Sequence, residues 1–315
     1  MSAQTRFEYG HQQMGTQIRL VFYAQDKVAA DSISQKVFQR IDVLNTILSD
    51  YISDSELNRL CDQVDSDVTV SPDLYSLLET SMEISKKTDG AFDITIGPLI
   101  RLWRNARKTE ILPKKPEIKD ALQFVGYQNL VFPKQNTVRL KEKNMQLDVG
   151  GIGKGFAADH ALKILESNGI TSALIDMGGD IRVSDSPPQK SHWTLVFYYY
   201  DEQEQQVFQK LKLKNQAVAT SGDLYQFVEI NGVRYSHIIN PNTGMALQNG
   251  IQVTTIAPTG TLADGYASAF SVLGIQKTKE KIEQIENIEV FVTERSEEKY
   301  QQWNSGSFAN FTLEQ

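Results

Sequence analysis

A glycine-rich turn in the middle of the chain combines residue types that suit phosphate binding. Four glycines and Lys154 lie between the apolar run Leu147–Val149, which we expect to be a strand, and a helical pattern that begins at Phe156. Glycines let backbone N–H groups approach an anion without a Cβ in the way, and a helix N-terminus adds partial positive charge. Because Lys154 would add a full charge, the turn predicts a phosphate cradle.

The spacing of these glycines leaves three interpretations open. Gly151, Gly153 and Gly155 read G-x-G-x-G, which is neither the dinucleotide fingerprint G-x-G-x-x-G nor a P-loop. A glycine-rich turn of this kind also occurs without any ligand. A Rossmann-type oxidoreductase is the third interpretation, because Asp176 follows Gly151 by about 25 residues, near the usual interval to a ribose-binding acid.

Asp264 and Ser268 form a second candidate site. They stand four residues apart in the helical pattern Ala263–Leu273, so their oxygens are expected on one face, one turn apart. A carboxylate and a hydroxyl, completed by a carbonyl, phosphate oxygens and water, suit a hard cation such as Mg²⁺. The simpler alternative is an acid placed near a helix N-terminus beside a serine without a role.

Two further candidate sites lie in the C-terminal half. The stretch Ala219–Asp223 places small hydroxyl side chains and a glycine turn at the end of a strand, where they could bind an anion or ligand hydroxyls. His237 stands at the head of an apolar run that leads into the turn Asn240–Gly244. It is either a base or a hydrogen-bonded structural histidine, and no other histidine has metal-ligand spacing to it.

The elements that must position these residues follow from periodicity. Alternation predicts a strand over Thr16–Ala24, and helical spacing predicts a long helix from about Ala29 to Ser49. Around the glycine turn we expect a βαβ-like unit, with a strand at Leu147, a helix Phe156–Ser167 and a strand Ala173–Met177.

The rest of the chain is expected to add loops and short strands. Residues 90–99 predict an ordered loop, and 108–142 predict a surface segment with one small helix near Ile118–Val125. The later part reads as mostly β, with runs at Trp193–Tyr200, Ala217–Thr220, Tyr225–Ile230, Tyr235–Ile239 and Gln252–Ala257. The expected fold class is α+β, with mixed or antiparallel sheets flanked by helices.

Composition excludes several classes of protein. With 32 Lys+Arg against 39 Asp+Glu the net charge is −7, which leaves no basic footprint for nucleic acid. Cys61 is the only cysteine, so the chain has neither an internal disulfide nor a Cys-rich zinc site. No apolar run reaches the length of a membrane span. Residues 1–13 are polar, and both a cytoplasmic protein and the trimmed form of an exported one stay open.

Taken together, these stretches resemble the FAD:protein FMN transferases, also called ApbE-like flavin transferases. The resemblance covers nearly the whole chain, in the family's order. It rests on these motifs: Met14-Gly15-Thr16, Ser55-Glu56-Leu57, Gly90–Asp93 with Gly97-Pro98-Leu99 and Trp103, Asp148–Asp159, Gly178-Gly179-Asp180, Ala219–Gly222, His237–Gly244, and Ala263-Asp264 to Gly274. It implies an ApbE-like, T-fold-like domain over 14–312, as one unit or as two interwoven subdomains, after a polar segment 1–13.

The resemblance implies an enzyme that binds FAD with Mg²⁺ and transfers the FMN half to a threonine or serine hydroxyl of an acceptor protein, releasing AMP. Some members instead hydrolyse FAD to FMN and AMP. The family's acceptors carry a motif of the type Asp-Gly-x-Ser/Thr-Gly-Ala-Thr, which this chain lacks, so the chain is expected to be the donor enzyme. Relatives are mostly exported, which favours a periplasmic, membrane-anchored location, or a cytoplasmic one if Met1 is the native start.

The resemblance also implies residue roles. Asp264, Ser268 and the backbone carbonyl of Gly153 would hold Mg²⁺, and the glycine turn with Gly151 and Lys154 would hold the pyrophosphate. The catalytic candidates are Asp264, Lys154 and His237, the last as base or orienting group. The other flavin- and nucleotide-contacting positions are Met14, Glu56, Asp159 and Ser221.

Four positions depart from the family pattern. Asn240 and Asn242 stand where Asp and Arg are usual, so two charges are lost beside His237. Ser268 replaces the usual Thr and Gly153 the usual Ala, and both keep their oxygen. The metal site is therefore expected to be intact, whereas the altered loop motivates an alternative, an FAD-binding protein that has lost catalysis.

Overall fold

The computed structural model describes residues 4–222, 226–296 and 299–314. These residues form the helices α1 Lys27–Leu48, α2 Glu56–Cys61, α3 Pro72–Lys87, α4 Gly97–Thr109, α5 Lys115–Leu122, α6 Gly153–Ser167 and α7 Gly260–Ile282. The strands are β1 Thr5–Gln13, β2 Thr16–Ala24, β3 Val68–Thr69, β4 Leu130–Lys134, β5 Thr137–Leu140, β6 Ala173–Met177, β7 Ile181–Val183, β8 Trp193–Tyr200, β9 Gln206–Leu213, β10 Ala217–Gly222, β11 Phe227–Ile230, β12 Val233–Ser236, β13 Gln252–Ala257, β14 Glu289–Ser296, β15 Lys299–Asn304 and β16 Thr312–Leu313.

Eight strands form a central sheet in the order β1-β2-β6-β7-β10-β13-β14-β15, and every neighbouring pair is antiparallel. Side chains of a strand point alternately to the two faces of its sheet. In β2, Ile18, Leu20 and Phe22 join a core cluster with α1, α3, α6 and α7. Val21 joins a second cluster with the smaller sheet β16-β9-β8. The central sheet thus lies between a helical layer and a second sheet.

A third cluster surrounds Trp103 of α4, which is fully buried. It joins α4 and α5 to the hairpin β11–β12 and to residues 239–246. The turn of that hairpin, Asn231-Gly232, has positive φ at both residues, as a two-residue hairpin turn requires. The expected α+β class with sheets flanked by helices is confirmed.

The expected βαβ-like unit is wrong. Residues 147–149 form no strand, because their neighbour is the loop around Ile94–Ile96, which offers only isolated backbone bonds. The helix begins at Gly153 rather than Phe156, so it includes the last two glycines of the turn, while Gly150 and Gly151 precede it. Strand β6 lies between β2 and β7 and is antiparallel to both, which removes the Rossmann interpretation.

Two other expectations need correction. Residues 97–109, partly assigned to a loop, form α4, in which Pro98 takes a helix-compatible first-turn position. The segment 108–142 holds β4 and β5 as well as α5, and these strands pair with β3 in a small sheet. Their apolar runs are too short to stand out from turn residues in the sequence.

Other boundaries agree closely with the periodicity. The strands Thr16–Ala24, Trp193–Tyr200 and Gln252–Ala257 have the predicted bounds, and the predicted long helix is α1. The strand expected at Tyr225 begins at Phe227, and Tyr225 lies outside the described residues. None of the helices formed by the described residues combines the length and apolar character needed to span a membrane.

Candidate functional site

The glycine turn forms the start of α6, at the point where α6 crosses the start of α7. A Cβ at Gly155 would overlap the carbonyl oxygen of Gly260, and a Cβ at Gly260 would lie 2.5 Å from the carbonyl oxygen of Gly155. A Cβ at Gly151 would lie 2.7 Å from Oγ of Ser268. Helix–helix contact therefore requires these glycines, independently of any anion.

Each helix start donates backbone N–H groups to a carboxylate of the other helix. Asp264 of α7 accepts the backbone N–H of Gly155 at 3.1 Å. Asp159 of α6 accepts the backbone N–H groups of Gly260 and Thr261 at 2.7 and 2.9 Å, and the Thr261 hydroxyl at 2.6 Å. The first N–H groups of a helix have no partner within it, so these bonds stabilise both starts.

Asp264, Asp180 and Lys154 form a buried charged group at this crossing. Lys154 donates to Asp180, and the two carboxylates are only 5% and 4% exposed. Burial, together with the charge of Asp180, raises the pKa of Asp264 to about 7, although Lys154 opposes the shift. Burial also raises the pKa of Asp180. Two carboxylates face one ammonium, so a cation bound here would relieve an uncompensated negative charge.

The groups around Asp264 include oxygens of the kind that bind hard cations. Ser268, one turn along α7, donates its hydroxyl to the carbonyl oxygen of Gly151 at 3.2 Å. Within 4–222, 226–296 and 299–314, no three His, Cys, Asp or Glu side chains cluster as a metal site. A cation would therefore depend on one carboxylate, hydroxyl and carbonyl oxygens, and ligand phosphates, a set that Mg²⁺ accepts.

Met14 lies near the start of α6, and Ser221 follows a residue whose backbone bonds to Asp180. Met14 lies at the tip of the β1–β2 hairpin with a φ of 52°, and its Cε is 3.7 Å from the position that a Cβ on Gly153 would take. Ser221 follows Thr220 in β10, and the backbone N–H of Thr220 bonds to Asp180. Asp223, at the end of this motif, lies outside the described residues.

Glu56 and Asp159 already have protein partners. Glu56 accepts the backbone N–H of Ser71, the residue that caps the start of α3. Asp159 caps α7 as described, and Nε of Arg182 lies 3.3 Å from one of its oxygens. Both residues thus position helices, and their contact with a cofactor stays a prediction.

His237 was expected at the head of a strand. It instead lies directly after strand β12, which ends at Ser236. Its Nδ1 lies 3.1 Å from the carbonyl oxygen of Gln226, which can only accept, so Nδ1 carries the proton and Nε2 of the neutral ring is left as an acceptor. Burial lowers the pKa of His237, and the charges of Arg107 and Lys154 lower it further despite the Gln226 bond. The imidazole is therefore neutral near pH 7 and able to accept a proton.

The loop after His237 is anchored to α4. Trp103 donates its ring N–H to the carbonyl oxygen of Gly244 at 2.8 Å. Asn240 accepts the backbone N–H of Asn242 at 2.9 Å, a turn that an aspartate would make with the same oxygen. The two departures from the family pattern therefore leave the local turn in place.

Asp180 belongs to the charged group, although the sequence analysis named it only as part of a motif and assigned it no role. Its sequence signal was only an acid after a glycine pair. The acid's burial and its bond to Lys154 depend on strands β6 and β7, which flank Asp180, packing against α6, and no local pattern shows this packing.

Comparison with known proteins agrees with this arrangement. The sequence profile of the ApbE family matches residues 14–292. An FAD:protein FMN transferase of Escherichia coli K12 is 30% identical over 307 residues, covering 95% of this chain and 87% of that protein. One of Treponema pallidum is 31% identical over 282 residues, covering 84% of this chain and 78% of that protein.

Solved structures agree as well. The flavin transferase ApbE from Vibrio cholerae superposes with a TM-score of 0.89 at 26% identity, covering 98% of this chain and all of that one. The ApbE protein from Thermotoga maritima superposes with a TM-score of 0.86 at 28% identity, with the same coverage.

Proposed function

The chain belongs to the ApbE family, and from that premise we propose that it transfers the FMN half of FAD to a threonine or serine hydroxyl of an acceptor protein. The observation that carries the proposal is the buried group of Asp264, Asp180 and Lys154 beside the start of α6. That group combines an excess negative charge, which a divalent cation would neutralise, with an ammonium and a helix N-terminus that suit a diphosphate.

The proposed step is a displacement at the phosphorus of the FMN half. The acceptor oxygen forms a bond to that phosphorus, and the bond from phosphorus to the bridging oxygen breaks, so AMP leaves with that oxygen and the electron pair. The proton of the acceptor hydroxyl passes to Nε2 of His237, which the Gln226 bond leaves free. Lys154 balances charge on the diphosphate, and positioning does most of the remaining work.

We further propose Mg²⁺ as the cation, held by Asp264, Ser268 and the backbone carbonyl of Gly153. When bound, it supplies Lewis-acid stabilisation of the phosphate oxygens. Asp264 is the anionic member of this set, and its buried position makes a neutralising partner favourable. Gly151 and Lys154 then face the diphosphate, while Met14 and Ser221 border it.

The intact mass of an acceptor protein tests this proposal. The chain is incubated with FAD, Mg²⁺ and a small domain carrying the Asp-Gly-x-Ser/Thr-Gly-Ala-Thr type of motif, beside a reaction without metal. A gain of one FMN on the acceptor, lost without metal, is the expected result. AMP release with an unmodified acceptor would indicate FAD hydrolysis, and FAD bound but intact would indicate a binding protein; either outcome contradicts the proposal.

A periplasmic, membrane-anchored location is also a proposal, and it rests on the family resemblance alone. Fractionation of cells that express the gene from its own start tests it. Recovery of the protein in the cytoplasmic fraction would contradict it.

A further inference from the structure

Two of the three arginines of helix α4, Arg104 and Arg107, lie one turn apart, and their surroundings differ. Arg104 bonds to Asp50 and, at 3.0 Å, to Asp148, which precedes the glycine turn. Its guanidinium also lies over the ring of Tyr51, 4.4 Å from the centroid. Arg104 is thus fully engaged in joining α4 to the loops around the site.

Arg107 has no hydrogen bond or ion pair with any residue in the described ranges, and its Nη1 is buried. The residue as a whole is half-buried, so part of the side chain can reach a second molecule. Burial and the nearby charge of Arg104 lower the pKa of Arg107. A buried N–H without an acceptor is unfavourable, and more so in a charged group, so the half-buried guanidinium favours an anion that a second molecule brings to it.

The position of Arg107 relates it to His237. The neighbouring residue Ala106 packs in the same cluster as Ile239, two residues after His237, and Trp103 bonds to the loop that follows. Arg107 and His237 are close enough for the arginine's charge to disfavour protonation of the imidazole. Arg107 therefore lies on the same side of the molecule as the group that would receive the proton of the acceptor hydroxyl, within range of its charge.

The anion is not expected to be the FAD diphosphate, because Lys154, the start of α6 and the proposed cation already provide for it. Asp50 and Asp148 are already paired with Arg104. The anion that remains is one brought in by the second substrate, the acceptor protein. A guanidinium suits a carboxylate, because its planar fork can donate two parallel bonds to the two oxygens.

On the basis of the proposed function, we propose that Arg107 binds a carboxylate of the acceptor protein close to the hydroxyl that receives FMN. It is a substrate-recognition residue, so its removal should weaken the enzyme's interaction with the acceptor and leave its interaction with FAD unchanged.

Steady-state FMN transfer with the full chain, FAD and Mg²⁺ tests this inference. Arg107→Gln should raise the KM for the acceptor by roughly tenfold or more, the loss typical of a charge-assisted bond, with the KM for FAD within twofold of wild type. Arg101→Gln removes an exposed arginine of the same helix and is the matched control, with both constants unchanged. If Arg107→Gln fails to fold, Arg107→Lys keeps the charge without the fork and should raise the acceptor KM to a smaller extent.

The acceptor supplies the second arm. Its carboxylates near the modified hydroxyl are changed to amides one at a time, and one of these changes should raise the acceptor KM as much as Arg107→Gln does. When that acceptor is combined with the Arg107→Gln enzyme, the KM should rise no further. A raised KM for FAD with an unchanged KM for the acceptor would overturn the inference, as would no change in either. If the wild-type chain transfers no FMN, the proposed function is wrong. If it transfers FMN but Arg107→Gln leaves the acceptor KM unchanged, only the inference about Arg107 is wrong.

Discussion

Asp159 and Asp264 lie on opposite sides of the crossing between α6 and α7, and each accepts N–H groups from the other helix. Asp159 receives two backbone N–H groups and a hydroxyl, with Arg182 beside it. Asp264 is more deeply buried, has fewer donors, and faces a second carboxylate, Asp180. The comparison shows that an acid at a helix start has a structural role when enough hydrogen-bond donors surround it. When such an acid is buried with too few donors and positive charges to balance its own charge, it is available to bind a cation.

Substitution of Asp264 should have the largest effect on activity. Asp264→Ala removes the anionic ligand of the proposed cation, and FMN transfer should fall by on the order of a thousandfold, as expected for losing metal-assisted charge stabilisation. Acceptor mass measured over time checks this. Transfer within tenfold of wild type would place the cation elsewhere.

Substitution of Asp159 should instead reduce stability. Asp159→Ala leaves the start of α7 without its acceptor and Arg182 without its ion-pair partner, and the free energy of unfolding should drop by about 3 kcal/mol. Denaturant unfolding measures the change. The opposite pattern, full stability with abolished FAD binding, would make Asp159 a cofactor ligand and reverse the comparison.

The crossing itself can be tested at a glycine. Gly155→Ala forces a Cβ onto the carbonyl of Gly260 and should destabilise the chain by about 2 kcal/mol, as overpacking commonly does. Gly306→Ala, where a Cβ meets nothing within 4 Å, is the matched control. Equal melting temperatures for the two variants would contradict this prediction, since α6 and α7 would then move apart to accommodate the Cβ with no loss of stability.

The smallest expected effect concerns pH. The pKa of Asp264 is raised to about 7 in the folded chain. At pH values between the ordinary pKa of an aspartate and 7, the folded chain therefore binds more protons than the unfolded chain. Stability from this residue is therefore present at low pH and decreases as the pH rises through 7. Without metal, wild type should lose on the order of 1 kcal/mol more than Asp264→Asn between pH 6 and 8. Parallel curves from denaturant titrations would contradict this.

The sequence predicted most strands with one buried face and the residues at the crossing of α6 and α7. Alternation predicted β2, because one side chain in two along its first half must reach a core. Strand β13 is buried at all six positions, and it stood out as a short run rich in β-branched residues. The helix α4 escaped prediction because a Gly-Pro start looks like a turn, and the role of Asp180 escaped because only tertiary packing pairs it with Lys154. The glycines predicted to cradle an anion are also needed for the contact between α6 and α7. A single sequence does not distinguish a glycine required for anion binding from one required for helix packing.

The reciprocal capping of α6 and α7 has a consequence for folding. Gly155 and Asp264, and likewise Asp159 and Gly260, are more than 100 positions apart in the chain. Neither helix start is complete until both halves of the chain have docked. The chain must therefore lose the conformational entropy of closing a long loop before these hydrogen bonds can form. The ligand site is therefore a late and global product of folding, and a nascent chain released before residue 264 is synthesised would have no site for FAD.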